Sequence, residues 1–286
     1  MGFLRKLFYM LFGWLIGKKG GGGGAKKDDS SVCLAFVLLP EAKMPSAADV
    51  IAALGQFAPA GETLHEETDD DGASDPNQLL SLRFGTGEMV FVMLMPAPIP
   101  VGEAEEAAQF SVSAIGSEWK VPPYGAHLIV TMMGENNASP VTRISRFTSL
   151  LAAVTKASDA VGVYWGNANA THSAKFVTDV ASDFDIIPRI MLWTGLSIAR
   201  EDDGKISFLS LGMQQLNLPD LLLVVGPETE DDAFEMFFNL TAFIAEHGQP
   251  FDEGDSVGRT EDEHIPVRYV PSPIDSPDKV WRVEYP

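Results

Sequence analysis

The sequence has little cysteine, few basic residues outside its amino end, and no amino-terminal apolar run long enough to cross a bilayer. Its single cysteine, Cys33, can form no internal disulfide, so the chain shows no sign of oxidative folding. The 20 basic residues face 40 acidic ones, and a net charge of −20 disfavours binding to nucleic acid. Residues 7–17 carry no charge, but a helix of that length spans only about 16 Å of the ~30 Å bilayer core. We therefore expect neither a disulfide-stabilised domain, nor a nucleic-acid-binding protein, nor a transmembrane helix at the amino end.

The sequence also lacks the residue spacings typical of metal sites. None of its 5 histidines forms an H-x-x-x-H pair or stands at zinc-ligand spacing from the cysteine, so we predict no metal and no cofactor. The run Asp69–Gly72 partly matches a calcium-binding loop, but Gln78 stands where that loop requires glutamate. We expect an acidic surface loop there rather than a cation site.

One serine motif needs a structural context that the sequence does not predict. Residues Gly254–Gly258 match G-x-S-x-G, which activates its serine only at a sharp turn between a strand and a helix. The segments on both sides are polar, and the one that follows is too short for a packed helix. We interpret the motif as a glycine-rich turn and assign no catalytic residue.

What the chain does have is a cationic and apolar amino end, residues 1–19, which we call the head. Residues 1–27 contain six basic and no acidic residues. On a helical wheel, the polar and glycine residues of positions 2–13 share one stripe about 100° wide, as in a helix that lies in the plane of a membrane surface. Tyrosine and tryptophan suit the headgroup boundary, and each Lys or Arg near an anionic leaflet adds about 1 kcal/mol. The predicted membrane contacts are Arg5, Lys6, Tyr9, Trp14, Lys18 and Lys19.

A glycine-rich tether, residues 20–31, separates the head from an acidic body. Without the six cations of residues 1–27, the chain has 14 basic against 40 acidic residues, a net charge of −26. A tether of this length and composition has a root-mean-square reach of about 19 Å, beyond the ~8 Å Debye length of physiological salt. The body can therefore stay clear of an anionic surface while the head binds it. The alternative is a terminal helix that folds back onto the body.

The order of predicted elements in the body indicates an α+β fold with two similar halves. Residues 32–138 have the order βαββαβ, and the order recurs in residues 139–286 after a joining helix capped by Ser139 and started by Pro140. Two strands are continuous apolar runs, as expected for the central strands of a ferredoxin-like sheet, so we predict two tandem ferredoxin-like halves. The predicted strands are 32–39, 79–84, 89–95, 126–133, 161–165, 189–200, 206–213 and 279–285; the predicted helices are 46–57, 102–116, 139–157, 173–184 and 229–247.

Two aromatic residues, Tyr164 and Trp165, end a predicted strand, and His172 follows on the next loop. Loops at strand ends often form binding sites, so these side chains are candidates for a ligand crevice; the alternative is an aromatic plug between the halves. Arg268 is expected to form an ion pair with Asp255 or to bind a ligand anion. The candidate ligand-binding residues are thus Tyr164, Trp165, His172, Asp255 and Arg268.

Five short segments of the body resemble, in order and spacing, the signposts of a known family. They are Pro96–Pro100, Ala126–Val130, Gly162–Gly166 with His172-Ser173, Gly254–Gly258 and Ile265–Arg268. The body, from about Cys33 to Tyr285, therefore resembles domain of unknown function 4261 (DUF4261), and the head is not part of the resemblance. The resemblance implies no activity and no established catalytic residues. It also implies that threonine can replace Ser256, which argues against a serine nucleophile.

These features together predict a non-catalytic binding or regulatory module, attached peripherally to the cytoplasmic face of a membrane through its head. One alternative is an uncharacterised enzyme with a crevice near Tyr164, Trp165 and His172. Another is an inhibitor or immunity-type interaction protein, whose acidic surface would bind a basic protein partner. The sequence names neither a ligand nor an oligomeric state.

Overall fold

The computed structural model describes residues 32–67, 75, 77–100, 102–134, 138–227, 229–260, 262–274, 276 and 278–285. The predicted head, the tether and the Asp69–Gly72 run lie outside these residues. The described chain has an α+β fold with six α-helices and three β-sheets, which confirms the predicted fold class. The helices are α1 (Ala47–Leu54), α2 (Glu103–Ala107), α3 (Pro140–Ala157), α4 (Ala174–Ala181), α5 (Ile186–Trp193) and α6 (Ala233–His247). The strands are β1 (Val32–Leu39), β2 (Leu64–Glu66), β3 (Leu79–Phe84), β4 (Met89–Met95), β5 (Ala126–Met133), β6 (Gly162–Trp165), β7 (Ala170–Ser173), β8 (Gly195–Arg200), β9 (Ile206–Leu211), β10 (Leu221–Val225), β11 (Ser256–Val257), β12 (Ile265–Pro266), β13 (Arg268–Pro271) and β14 (Lys279–Glu284).

The larger sheet has seven strands in the order β2-β3-β4-β5-β1-β6-β7, and every neighbouring pair is antiparallel. Its inner strands β1 and β5 are buried on both faces, which explains their continuous apolar sequences. Val37 and Leu39 of β1 face the main core with α1 and α3, whereas Leu38 faces a smaller cluster with α2. The sheet therefore lies between two apolar layers.

The strand order differs from that of a ferredoxin-like half, so this part of the fold prediction is wrong. A ferredoxin-like sheet would place β4 beside β1 and carry β5 to the far side of β1, but β5 lies between β4 and β1. The predicted helix 102–116 is instead the five-residue helix α2 followed by a 3-10 turn. Five residues of helix span about 7.5 Å, too little to run back along a strand of ~23 Å and form a crossover. Strands β6 and β7 join the same sheet from beyond residue 139.

The smaller sheet has five strands in the order β13-β14-β10-β9-β8. Strands β10 and β14 are parallel, and α6 makes the connection between them across one face of the sheet. The predicted strand 189–200 is in part a helix, because α5 extends to Trp193 and β8 begins only at Gly195. Buried Arg189 holds this helix in place through hydrogen bonds to the carbonyl oxygens of Asp183 and Ser145, at 2.8 and 3.1 Å.

Helix α6 lies over the smaller sheet and forms the wall of the site described below. Its inner face, including Phe237, Phe238 and Ile244, is fully buried in the main core. Gly248 ends the helix as predicted: its φ of +67° is the left-handed conformation that favours glycine, and its N–H donates to the Ile244 carbonyl at 3.1 Å. The outer face of α6 is consequently fixed in position by a packed core.

Candidate functional site

The two predicted aromatic ligand residues lie in two different cores. Because Tyr164 and Trp165 are neighbours on β6, their side chains point to opposite faces of the larger sheet. Tyr164 stacks on Phe36 with 5.7 Å between ring centroids, and its hydroxyl donates to Glu103 Oε1 at 3.2 Å. Burial and the nearby Glu103 carboxylate raise the pKa of that hydroxyl.

Trp165 packs in the main core, which contains side chains from both the larger and the smaller sheet. Its indole N–H donates to Gln215 Oε1 at 3.1 Å, and its ring meets Phe147 edge to face at 5.5 Å. With only 1% of its surface exposed, Trp165 offers nothing to a ligand from solvent. The structure therefore does not bring Tyr164 and Trp165 together in one crevice.

His172 is fully buried and forms a small hydrogen-bonded cluster with two serines. Its Nδ1 lies 2.7 Å from Ser111 Oγ, which lies 2.8 Å from Ser113 Oγ. Burial lowers the pKa of the imidazole to about 4, partly offset by the Leu192 carbonyl, so the ring is neutral at pH 7. A serine beside a neutral histidine is the chemistry of an activated nucleophile, but neither side chain has any solvent-exposed surface. The cluster fastens the turn after α2 to β7.

The predicted ion pair between Asp255 and Arg268 does not form. Asp255 Oδ2 accepts the backbone N–H of Asp252 at 2.8 Å and so stabilises its own turn. Arg268 is exposed and lies opposite Arg282 in the pairing of β13 with β14. Both arginines line a cleft of about 620 Å³ together with Lys205.

Two of the three cations in that cleft, Arg282 and Lys205, already have carboxylate partners. Arg282 Nη2 lies 3.0 Å from Glu284 and 3.8 Å from Glu201, and Lys205 forms ion pairs with Glu284 and Asp203. A ligand anion would have to compete with these carboxylates. The predicted membrane contacts Arg5, Lys6, Tyr9, Trp14, Lys18 and Lys19 lie outside the described residues.

A wide cleft runs beside α6. It has a volume of about 740 Å³ and lies between α6, the β11–β12 hairpin and the end of β14. A second cleft of about 440 Å³ lies on the other side of the ridge formed by Asn239 and Phe243, between α6 and the start of α5. We call the two clefts together the α6 groove. Its lining residues are Asp185, Ile186, Ile187, Pro188, Asp232, Glu235, Met236, Asn239, Leu240, Ala242, Phe243, Glu246, Phe251, Ser256, Val257, Gly258, Arg259 and Tyr285.

The surface of the groove is unusually apolar for an exposed helix face. A surface helix normally turns polar side chains to solvent, but α6 has exposed Phe243 on that side, beside Met236 and Leu240, which are half-buried against the main core. Phe243 is 53% exposed and Ile187 of α5 is 44% exposed. Contiguous exposed apolar side chains mark interaction surfaces more often than isolated ones do. The groove can therefore bury apolar side chains of a partner.

Carboxylates stand at both ends of the groove. Asp232 and Glu235 lie at the amino end of α6, and Asp185 and Glu246 lie at its carboxyl end. The cation in the lining, Arg259, donates to Glu263 at 2.7 Å and lies over the Tyr285 ring at 5.3 Å. It is also close to Asp232, so that Glu235 is the carboxylate left at that end. The groove thus suits an apolar segment that carries positive charge at its two ends.

Ser256 lies in the groove, but its surroundings are those of a turn. It belongs to the two-residue strand β11, which pairs with β12, and the segment that follows contributes the short strands β12 and β13. Gly254 has a φ of +95°, and a Cβ on Gly258 would lie 1.9 Å from the Glu263 carbonyl oxygen. Backbone geometry therefore explains both outer glycines of G-x-S-x-G.

The described residues contain neither a cluster suited to a metal ion nor a helix suited to span a membrane. No group of three or more His, Cys, Asp or Glu side chains there is arranged to hold a metal ion. No helix in that part of the chain has the length and apolar character needed to cross a membrane.

Sequence reasoning missed the α6 groove, although the sequence contained a signal for it. Residues 229–247 were predicted as a helix, and the segment Phe234–Ala245 contains only three polar residues, Glu235, Asn239 and Thr241. A helix with so narrow a polar stripe either is largely buried or presents apolar side chains to a partner. Such a helix beside a polar hairpin was the available indication.

Residues 209–284 match a family model described as domain of unknown function (DUF4261). The match confirms the resemblance over the carboxyl-terminal part of the chain, which includes α6 and all of the groove except Asp185–Pro188 and Tyr285. The chain therefore contains a DUF4261 domain. Neither the curated proteins nor the solved structures include a match to this chain.

Proposed function

We propose that this chain, with its DUF4261 domain at residues 209–284, is a non-catalytic binding or regulatory module held at the cytoplasmic face of a membrane. The observation that carries the binding role is the α6 groove, an exposed apolar surface with carboxylates at both ends. The membrane role rests on the sequence of the head.

The groove is suited to a helical or extended peptide rather than to a small polar molecule. Helix-in-groove recognition uses apolar side chains at helical spacing, which a long apolar surface beside a helix can bury. The acidic ends of the groove, in a body of net charge −26, favour a segment with lysine or arginine at its ends. A basic protein partner would bind here.

The head supplies attachment in this proposal. Its apolar residues would enter the headgroup region, and its cations would contact anionic lipids. The buried positions of Tyr164, Trp165 and His172 give the alternative of an enzyme at those residues no support.

Flotation of the full-length chain with vesicles tests the attachment. We expect co-migration with vesicles of phosphatidylcholine and phosphatidylserine, and much less with phosphatidylcholine alone. The double variant Arg5→Glu/Lys6→Glu should lower the floated fraction, while the matched variant Arg83→Glu on the body should not. Equal flotation of all three chains on both vesicle types would contradict the proposed attachment.

A further inference from the structure

We infer that the α6 groove is the docking site of the chain's own head, so that the groove and a membrane surface compete for the same apolar residues. This inference rests on the binding role proposed for the groove, and it names the occupant. Length, charge, and the position of β1 each support it.

The head and the groove have the same length. The apolar segment Phe3–Ile16 would form a helix of about 21 Å. The groove follows α6 from Asp232 to Glu246, which is also about 21 Å along a helix. The apolar residues of the head can therefore cover the exposed surface around Phe243 from end to end.

The charges of the two surfaces have matching spacing. The head carries Arg5 and Lys6 near one end and Lys18 and Lys19 at the other, about 20 Å apart in a helix. The carboxylates of the groove also form two groups, Asp232 with Glu235 and Asp185 with Glu246. Each pair of cations can face one pair of carboxylates.

The position of β1 makes the docking possible and sets its direction. Cys33 of β1 lies beside Arg143 in the first turns of α3, and the nearby Ser145 carbonyl accepts Arg189 Nη1 of α5 at 3.1 Å. Packed helices lie about 8–10 Å apart, so the two steps from α3 to α5 and on to α6 span about 16–20 Å, and the step from β1 to α3 brings the path to about 30 Å.

The tether 20–31 can span this path, which is longer than its root-mean-square reach of about 19 Å and shorter than its full extension of about 40 Å. Because α5 begins beside Asp185, the tethered end of the head would meet the Asp185–Glu246 end of the groove. The head would then lie parallel to α6, with Arg5 near Glu235.

Photo-crosslinking within the full-length chain tests this arrangement without removing any part of it. The probe is p-benzoylphenylalanine in place of Leu4 or Leu15, with Gly22 as the control position in the tether, in buffer without lipid. We expect Leu4 to crosslink near Met236 and Leu15 to crosslink near Phe243 or Ile187, both within one chain. Crosslinks only between two chains, or none to α5 and α6, would overturn the inference.

Groove variants separate specific docking from random collision. Phe243→Glu should reduce the intramolecular crosslink severalfold, and Glu235→Lys/Glu246→Lys should do so through charge alone. Ile198→Glu is the matched control, because Ile198 is 44% exposed but does not line the groove. Crosslinking that is unchanged in both groove variants would contradict docking.

Membrane binding supplies a second readout that does not depend on crosslinking. A short tether gives an effective concentration of about 1 mM, so a head that binds the groove at ~0.1 mM in trans would be docked about ten to one. Phe243→Glu should then raise the apparent affinity for anionic vesicles about tenfold, while Ile198→Glu leaves it unchanged. If the full-length chain floats normally and Phe243→Glu has no effect, docking is refuted and the membrane attachment stands. If the full-length chain does not float but its head crosslinks to α5 and α6 as expected, the attachment fails and the docking stands.

Discussion

Acidification should destabilise the folded protein through His172. The imidazole is fully buried, and this burial lowers its pKa from 6.5 to about 4. Between these two pH values the unfolded chain binds a proton that the folded chain does not bind. The free energy of unfolding therefore falls as the pH falls from 6.5 to about 4. The stability that depends on a neutral His172 is fully present above pH 6.5.

The interval between the two pKa values sets the size of the effect. At 1.36 kcal/mol per pH unit, the difference between 6.5 and about 4 amounts to about 3 kcal/mol, most of which is lost by pH 4.5. This is a large share of the stability of an ordinary domain. Buried Asp220, whose pKa is raised chiefly by burial, acts in the opposite direction, so the comparison must be made against a variant.

Urea unfolding of the full-length chain at several pH values between 7.5 and 4.5 measures the effect. His172→Asn keeps a donor near Ser111 but cannot titrate in this range, so its stability should change less with pH than that of the unaltered chain. His264→Asn is the control for the substitution itself, because that side chain is exposed. Parallel pH profiles for the unaltered chain and His172→Asn would refute the reasoning.

Three further outcomes follow from particular contacts. Arg146→Met should lower the free energy of unfolding, measured in urea, by about 3–5 kcal/mol, because it removes the cation that pairs with buried Glu88. Arg83→Met breaks an exposed ion pair and should cost less than about 1 kcal/mol in the same titration. Gly212→Ala should destabilise the protein by about 1–3 kcal/mol more than Gly204→Ala does. Both glycines have positive φ, but only a Cβ at Gly212 would collide, at 2.4 Å from the Asn167 carbonyl oxygen. Equal melting temperatures of the two variants would contradict this. Phe243→Ala should lower the free energy of unfolding by no more than about 1.5 kcal/mol in urea, because Phe243 is about half exposed and a head docked ten to one adds about 1.4 kcal/mol; a larger loss would mean that Phe243 belongs to the core.

The strands and caps with strong local signals could be predicted from the sequence. The strands Val32–Leu39, Leu79–Phe84, Met89–Met95 and Ala126–Met133 have the predicted bounds, because apolar runs between turn residues leave little alternative. Ser139 caps α3 as predicted, with its Oγ accepting the Thr142 N–H at 3.1 Å. Strand order is different, since it depends on contacts between distant segments and on the true length of α2.

One wrong element has a clear cause. Residues Ile190–Trp193 are apolar without interruption, and such a short run fits a buried strand and a buried helix equally well. Arg189 stabilises the helix by donating to the Asp183 and Ala181 carbonyls and, across the contact of α5 with α3, to the Ser145 carbonyl. That contact joins segments far apart in the sequence, so local patterns do not reveal it.

The candidate site was hard to predict for a different reason. The residues chosen from the sequence have reactive or aromatic side chains, whereas the α6 groove is defined by shape and exposure. Met236, Leu240 and Phe243 have the sequence character of ordinary core residues. The packing of α6, which buries its opposite face, leaves Phe243 exposed and the other two half-buried beside it.

The central place of β1 in the larger sheet has a consequence for biosynthesis. Its two neighbours, β5 and β6, come from residues 126–133 and 162–165. Strand β1 therefore leaves the ribosome before either of the strands with which it pairs. At about 5–20 residues per second, the wait from residue 39 to residue 162 is roughly 6–25 s. Throughout that interval a nascent chain already carries its cationic amino end outside the ribosome. A lipid surface nearby could therefore capture the amino end before any tertiary structure competes for it.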